Sequence, residues 1–245
     1  MRRFWTRACF IIGAGASISL SDAARATSVT ISRMGAGTVC NGWAVDANTV
    51  VTAAHCVSEP GHYVISAGTK VYQALRAWIH PEYSPELLFH SSLGKHELNY
   101  DLALLRIIQK DFVAGGEKID HLNGRGLPPA STLYAVRPPN RKDSGRRHTE
   151  DIEYVNLQYK DNGIVISNAG KRYQICPGDS GTPLYAKIDD ERTVVGVIVG
   201  YGTQGKMPRE ECGNEIYVIT ASVVLRFIEF VDRAYRAGDR PGMPR

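Results

Sequence analysis

Short apolar runs broken by glycine, proline, asparagine and aspartate recur along most of the chain. They fall at residues 49–54, 63–66, 71–79, 102–108, 133–136, 152–159, 163–166, 194–199 and 215–219, and many are rich in β-branched side chains. Such segments read as strands, and none sustains a helical period. Many short strands separated by turn residues predict an all-β barrel or sandwich. The C-terminus differs. Val224, Phe227, Ile228, Val231 and Tyr235 recur at spacings of three and four, with Arg226, Glu229, Asp232, Arg233 and Arg236 between them. That pattern predicts an amphipathic helix over Ala221–Arg236, its apolar side packed on the protein's own barrel. A loose tail is expected over 238–245.

The stretch from Asn123 to Thr149 is the least regular. It holds Pro128-Pro129, Pro138-Pro139 and the basic residues Arg141, Lys142, Arg146, Arg147 and His148. A linker is expected at 120–130 and a solvated loop at the basic run.

The first residues form a separate unit. Arg2, Arg3 and Arg7 precede an uncharged stretch over 8–20, and Ala24-Arg25-Ala26 supplies small residues at signal-peptidase spacing. This order predicts a secretory signal over 1–26. The uncharged stretch is too short to span a bilayer comfortably, so no stable membrane insertion is expected after its removal.

The signal changes the charge picture. It carries Arg2, Arg3, Arg7 and Arg25 against Asp22, so the formal +4 of the full chain falls to +1 without it. A nucleic-acid partner needs a basic face, and none is predicted. The 43% apolar and 22% charged composition is that of an ordinary globular protein, without low-complexity tracts. Of five cysteines, Cys9 leaves with the signal, while Cys40, Cys56, Cys176 and Cys212 remain. Four suit two disulfides in an oxidising compartment, with three pairings open. No C-x2-C pair is present, so a zinc site is not expected. No other metal and no cofactor is expected either.

Three local patterns carry chemistry. Thr52-Ala53-Ala54-His55-Cys56 follows a strand-like run, Asn99-Tyr100-Asp101-Leu102-Ala103 opens another, and Cys176-Pro177-Gly178-Asp179-Ser180-Gly181 precedes a third apolar segment. A serine hydroxyl is a poor nucleophile unless an adjacent base takes its proton. Histidine titrates near neutral pH and suits that task, and a carboxylate on its second ring nitrogen fixes the tautomer. Gly178 and Ser180 bracket Asp179, so their N–H groups can point into one small space, and glycines at 178 and 181 permit the tight turn.

In the order His, Asp, Ser these patterns resemble the trypsin/chymotrypsin-like serine proteases. The resemblance also covers Ile79-His80-Pro81-Glu82-Tyr83 and Gly200-Tyr201-Gly202. It implies two antiparallel six-stranded β-barrels with a C-terminal helix. Residues 27–125 would form the first barrel with His55 and Asp101, 126–220 the second with Ser180, and 221–245 the helix and tail. It further implies Ser180 as nucleophile, His55 as base, Asp101 as its orienting acid, and the N–H groups of Gly178 and Ser180 as the oxyanion hole. Cys40–Cys56 and Cys176–Cys212 would be disulfides. Gln174, Gly200, Tyr201, Gly202 and Glu215 would bind substrate, with 200–202 pairing to the substrate backbone as an added strand. A monomeric, secreted (extracellular or periplasmic) endopeptidase acting on proteins or peptides is the function implied.

Three departures qualify the resemblance. Gly200 stands where the family commonly has a serine supporting the triad acid. Gln174 replaces the aspartate at the floor of a trypsin pocket, whereas Glu215 aligns with a wall position that is usually glycine. A carboxylate there can pair with a Lys or Arg side chain, so a preference for a basic P1 residue is expected. Finally, many relatives are activated when a newly cut N-terminus inserts beside the aspartate preceding the serine. No Ile-Val-Gly-Gly-like start is present, so activity without a propeptide step is expected, and the partner of Asp179 is left open. The competing readings are an esterase of another fold, which the His-Asp-Ser order disfavours, and a catalytically silent protease-like binding protein.

Overall fold

The computed structural model describes residues 28–37, 39–85, 100–108, 112, 118–119, 132–137, 148–152, 154–160, 162–168, 174–189, 191–202, 212–213 and 215–236. The signal over 1–26, the linker at 120–130, the basic residues 141–147 and the tail lie outside the described residues.

Six strands close the first barrel: β1 (Ser28–Arg33), β2 (Val39–Asp46), β3 (Thr49–Thr52), β4 (Tyr63–Ala67), β5 (Lys70–Ile79) and β6 (Ala103–Ile107). Their order is β1-β2-β3-β6-β5-β4, antiparallel throughout, with β4 returning to β1. Trp43, Ile31, Ile65, Leu104 and Leu105 are fully buried. Leu104 and Leu105 are adjacent in sequence yet both inside, because β6 is covered on both faces. Leu104, Arg106 and Trp78 meet the C-terminal helix at Ile228, Val231 and Tyr235. A strand covered on both faces loses the period-two alternation, which is why 102–108 reads as a continuous apolar run.

The second half contains β7 (Lys118–Ile119), β8 (Leu133–Arg137), β9 (His148–Ile152), β10 (Tyr154–Lys160), β11 (Gly163–Asn168), β12 (Pro183–Ile188), β13 (Glu191–Gly202) and β14 (Glu215–Thr220). The sheet runs β10-β11-β14-β13-β12-β8-β9, with β7 added in parallel to β13. This is an eight-stranded sheet rather than a second barrel of six separate strands. The two edge strands explain the difference: β9 ends at Ile152 and β10 begins at Tyr154, so the opposite edges are a single residue apart in sequence. Taken as one bent strand, β9–β10 brings the count around the sheet to that of the chymotrypsin-like fold.

Alternation is visible here. Leu133, Ala135, Ile164, Ile166, Leu184, Ala186, Ile216 and Val218 pack in one cluster. Their neighbours Val136, Val165, Tyr185, Tyr217 and Ile219 belong to the core shared with the first barrel and the helix. At about 25 cal/mol per Å2, such two-sided burial dominates the stabilisation of the sheet.

The helix α1 (Ala221–Arg236) follows β14 directly, with the bounds its periodicity predicts. Its buried side chains are Ala221, Val223, Val224, Phe227 and Val231. Phe227 reaches the first barrel, its ring 4.9 Å from that of His80. The helix therefore ties the two halves together. Among the described residues no helix is long and apolar enough to cross a membrane.

Candidate active site

The β3–β6 register fixes the first two site residues. Thr52 pairs with Ala103 at the end of both strands. His55 lies three residues beyond that pair on the 3-10 turn Ala54–Cys56, and Asp101 lies two residues before it, so both leave the barrel at the same end. Asp101 is wholly buried. Its Oδ1 accepts the His55 backbone N–H at 2.8 Å, and its Oδ2 lies 2.6 Å from His55 Nδ1. With both carboxylate oxygens committed to one residue, the imidazole is held at a fixed angle. Burial alone would lower the His55 pKa, but the charge of Asp101 and its hydrogen bond outweigh it, and the net direction is upward.

Tyr100, just before Asp101, adopts a left-handed backbone, φ 42°. Its ring stacks on His80 at 4.4 Å, and its carbonyl accepts Leu102 N–H at 2.6 Å. This tight turn points the Asp101 side chain back at His55. Nearby, Tyr83 is pushed up to about 12, by burial first and then by the Asp101 charge.

Ser180 comes from the loop before β12. Gly178 (φ 97°) and Gly181 (φ 87°) take backbone conformations that other residues rarely adopt. At Gly181 a side chain would also overlap the Asn41 carbonyl. This close approach bolts the loop to the first barrel: Asn41 N–H donates to Ser180 C=O at 2.7 Å, and Asn41 Nδ2 donates to Thr182 Oγ1 at 2.9 Å. Thr52 Oγ1 in turn donates to Asn41 C=O at 2.7 Å. Cys40, beside Asn41, is disulfide-bonded to Cys56, beside His55. Residues 40–41, 52–56 and 180–182 thus form one connected cluster.

The Ser180 hydroxyl donates to the Val199 carbonyl at 3.4 Å, and His55 Nε2 lies 3.6 Å from Cys56 Sγ. The β13–β14 register shifts between Ile198 and Gly200, and the irregularity includes Val199. Among the described residues neither the Gly178 nor the Ser180 N–H is taken by a protein acceptor. Cys40, Cys56 and His55 cluster closely enough to suggest metal ligands, but the two sulfurs are bonded to each other and offer no thiolate.

Three backbone segments build the wall beside Ser180. Ile175 and Gly213 exchange both N–H···O bonds, at 2.9 and 2.8 Å, and Cys176 is disulfide-bonded to Cys212. Gly200, Tyr201 and Gly202 pair with Tyr217, Ile216 and Glu215. A side chain on Gly202 would collide with Tyr217 Oη and come within 2.5 Å of Glu215 Oε2, so Glu215 lies against this wall. Tyr217 Oη donates to Glu215 Oε2 at 3.0 Å. Burial, then the Glu215 charge and this bond, push the tyrosine pKa up. Gln174 is exposed, and its fixed feature is its carbonyl, which accepts Arg137 Nη2 at 2.5 Å.

Sequence reasoning missed Asn41, Thr182, Tyr217 and above all Arg137. Arg137 pairs with Asp179 at 2.8 Å, from 42 residues away. Its only signal in the sequence is a cation ending the apolar run 133–136.

The family model described as Trypsin matches residues 19–222. Tonin of Rattus norvegicus is 26% identical over 194 residues, covering 69% of this chain and 71% of tonin. Glandular kallikrein-10 of Rattus norvegicus is 26% identical over 199 residues, covering 72% and 74%. Chymase of Rattus norvegicus is 24% identical over 163 residues, covering 59% and 64%.

Proposed function

Because the chain belongs to the trypsin family and is a serine endopeptidase, we propose that it cleaves peptide bonds through Ser180, His55 and Asp101. The observation that carries this reading is the buried Asp101 carboxylate bonded to both the backbone and the ring of His55, at the barrel end where the Ser180 loop is bolted. In the reaction the Ser180 hydroxyl turns from Val199 C=O to His55 Nε2. It loses its proton there and forms a bond to the substrate carbonyl carbon. The tetrahedral oxyanion accepts the Gly178 and Ser180 N–H groups; one such donor is typically worth ~3 kcal/mol of barrier. Protonated His55 then gives its proton to the leaving amine, and water repeats the sequence in reverse to free the acid. Asp101 stabilises the imidazolium throughout.

The substrate backbone is proposed to add to β13 at 200–202. The β12 pairing stops at Val197, so among the described strands that edge of 200–202 is unpaired. Glu215 is proposed to select Lys or Arg at P1, since its carboxylate lies beside Gly202 on the wall of the cleft. Glu215→Gln keeps an acceptor for Tyr217 but removes the charge. It should lower kcat/KM for Lys and Arg substrates about 10- to 100-fold, the worth of a charge-assisted hydrogen bond, and spare neutral ones. A panel of peptides varied only at P1 checks this, and an unchanged basic preference would reject Glu215. Secretion, with residues 1–26 removed, is proposed on the signal pattern and on two disulfides of a kind that persist in oxidising compartments.

The functional reading is tested by incubating the protein with end-blocked peptides and mapping products by mass spectrometry. Internal cleavage abolished by a serine-directed inhibitor is expected, and intact peptides throughout would refute endopeptidase action. The pH profile adds a second check. The base must be neutral, so activity falls as pH drops through the His55 pKa. With that pKa raised, the acid limb of kcat/KM should lie above the ordinary histidine value of 6.5. An acid limb below it would contradict the Asp101 contact.

A further inference from the structure

The Ser180 loop is folded around a carboxylate. Asp179 is only 8% exposed. Its Oδ2 accepts Cys176 N–H at 2.8 Å and Arg137 Nη2 at 2.8 Å. The same Nη2 donates to Gln174 C=O at 2.5 Å, so one guanidinium holds both ends of the segment 174–179. Meanwhile the Asp179 carbonyl accepts Thr182 Oγ1 at 2.6 Å and Thr182 N–H at 3.1 Å. Arg137 is the last residue of β8, and β8 pairs with β12, the strand that leaves the loop, at Leu184–Ala135. The cation is therefore part of the same sheet that carries the loop and needs no other segment to bring it.

Resting on the triad reading above, we propose that Arg137 is a positioning residue for the reaction. By keeping Asp179 inside, it holds the 178–180 turn with its N–H donors towards the cleft, and so makes the site competent on folding, without a chain cut to supply a cation. Without a counter-charge, a buried carboxylate either takes up a proton or swings into water, and either change loosens the turn. Backbone bonds fix the loop at Ser180 and Gly181, whereas Gly178, at a conformation with little intrinsic preference, depends more on where the Asp179 carboxylate is held. Burial already pushes the Asp179 pKa up, and Arg137 opposes that rise. Lysine would keep the charge, but its shorter side chain and strongly hydrated ammonium must re-aim to meet Asp179 and Gln174 where Arg137 Nη2 now does.

The test compares wild type with Arg137→Gln, Arg137→Lys, Asp179→Asn and the Arg137→Gln/Asp179→Asn double variant. Arg137→Gln is expected to lower kcat about 10^2-fold, comparable to losing one oxyanion donor, with KM little changed. Arg137→Lys should recover part of it. The double variant should be no worse than the poorer single one, since both changes release the same turn. Hydrogen exchange over 176–182 should rise in Arg137→Gln and not elsewhere, a readout that does not depend on activity. If the wild type hydrolyses nothing, the protease reading fails while the exchange result still judges the clamp. Full kcat with unchanged exchange in Arg137→Gln, or losses that multiply in the double variant, would overturn it. Should Arg137→Gln not fold, Arg137→Lys and Asp179→Asn carry the same comparison.

Discussion

Ser180→Ala is expected to lower kcat/KM by on the order of 10^6-fold and to leave stability nearly unchanged. The two halves of this prediction rest on different atoms. The loop is fixed by backbone groups: Ser180 C=O accepts Asn41 N–H, and Gly181 N–H donates to Ile198 C=O at 2.7 Å. The hydroxyl makes one long bond, 3.4 Å to Val199, whose loss costs little. Tm should therefore shift by no more than about a degree or two, as for a substitution outside packed features. Rate and Tm measured on the same sample separate chemistry from folding. A loss below tenfold would place the nucleophile elsewhere.

Asp101→Asn is the second large effect, a fall of about 10^4-fold in kcat/KM. The substitution keeps the shape and removes one acceptor. If the amide oxygen stays on the His55 backbone N–H, the amide NH2 faces Nδ1. Nδ1 must then accept, the proton moves to Nε2, and the ring can no longer take one from serine. If the amide flips, its NH2 opposes the His55 backbone N–H, two donors facing each other where Asp101 is wholly buried. The first arrangement disables the base, and the second, which would keep the productive tautomer, is disfavoured by that buried donor clash, so kcat should fall with KM little changed. The acid limb of any residual activity should move down, because the charge that raises the His55 pKa is gone. Activity within tenfold of wild type would contradict the orienting role.

What could be read from the sequence was local. The helix Ala221–Arg236 declares itself by apolar side chains at three- and four-residue spacing. The strings around His55, Asp101 and Ser180 are each a few residues long and stand out singly. Strands whose apolar pattern is interrupted did not stand out: β2 carries Asn41 and Gly42, β9 is the polar His148–Ile152, and β12 opens on Pro183. Their strand character comes from pairing partners rather than from their own composition. The run read over 152–159 crosses the boundary between β9 and β10, since hydrophobicity does not mark a change of partner.

The contacts that arm the site are non-local, and so were illegible. Nothing near Asp179 in sequence announces Arg137, and nothing near Ser180 announces Asn41, 139 residues earlier in the chain. Asn41 reads as a polar interruption in a strand until the second half of the chain is folded against it. Its side chain then bonds Thr182 and its backbone bonds Ser180. Glu215 aligns with a wall position, but its place against Gly202 and its bond to Tyr217 depend on the β13–β14 register.

The most direct test of the account is covalent labelling with a fluorophosphonate, which reacts with a serine only when a base and an oxyanion hole are assembled around it. Applied to the folded, disulfide-intact protein, the reagent should label Ser180 alone, identified by peptide mapping, and labelling should vanish in Ser180→Ala and after denaturation. A folded sample that takes up no label, or carries it on another serine, would contradict the assignment of Ser180, His55 and Asp101.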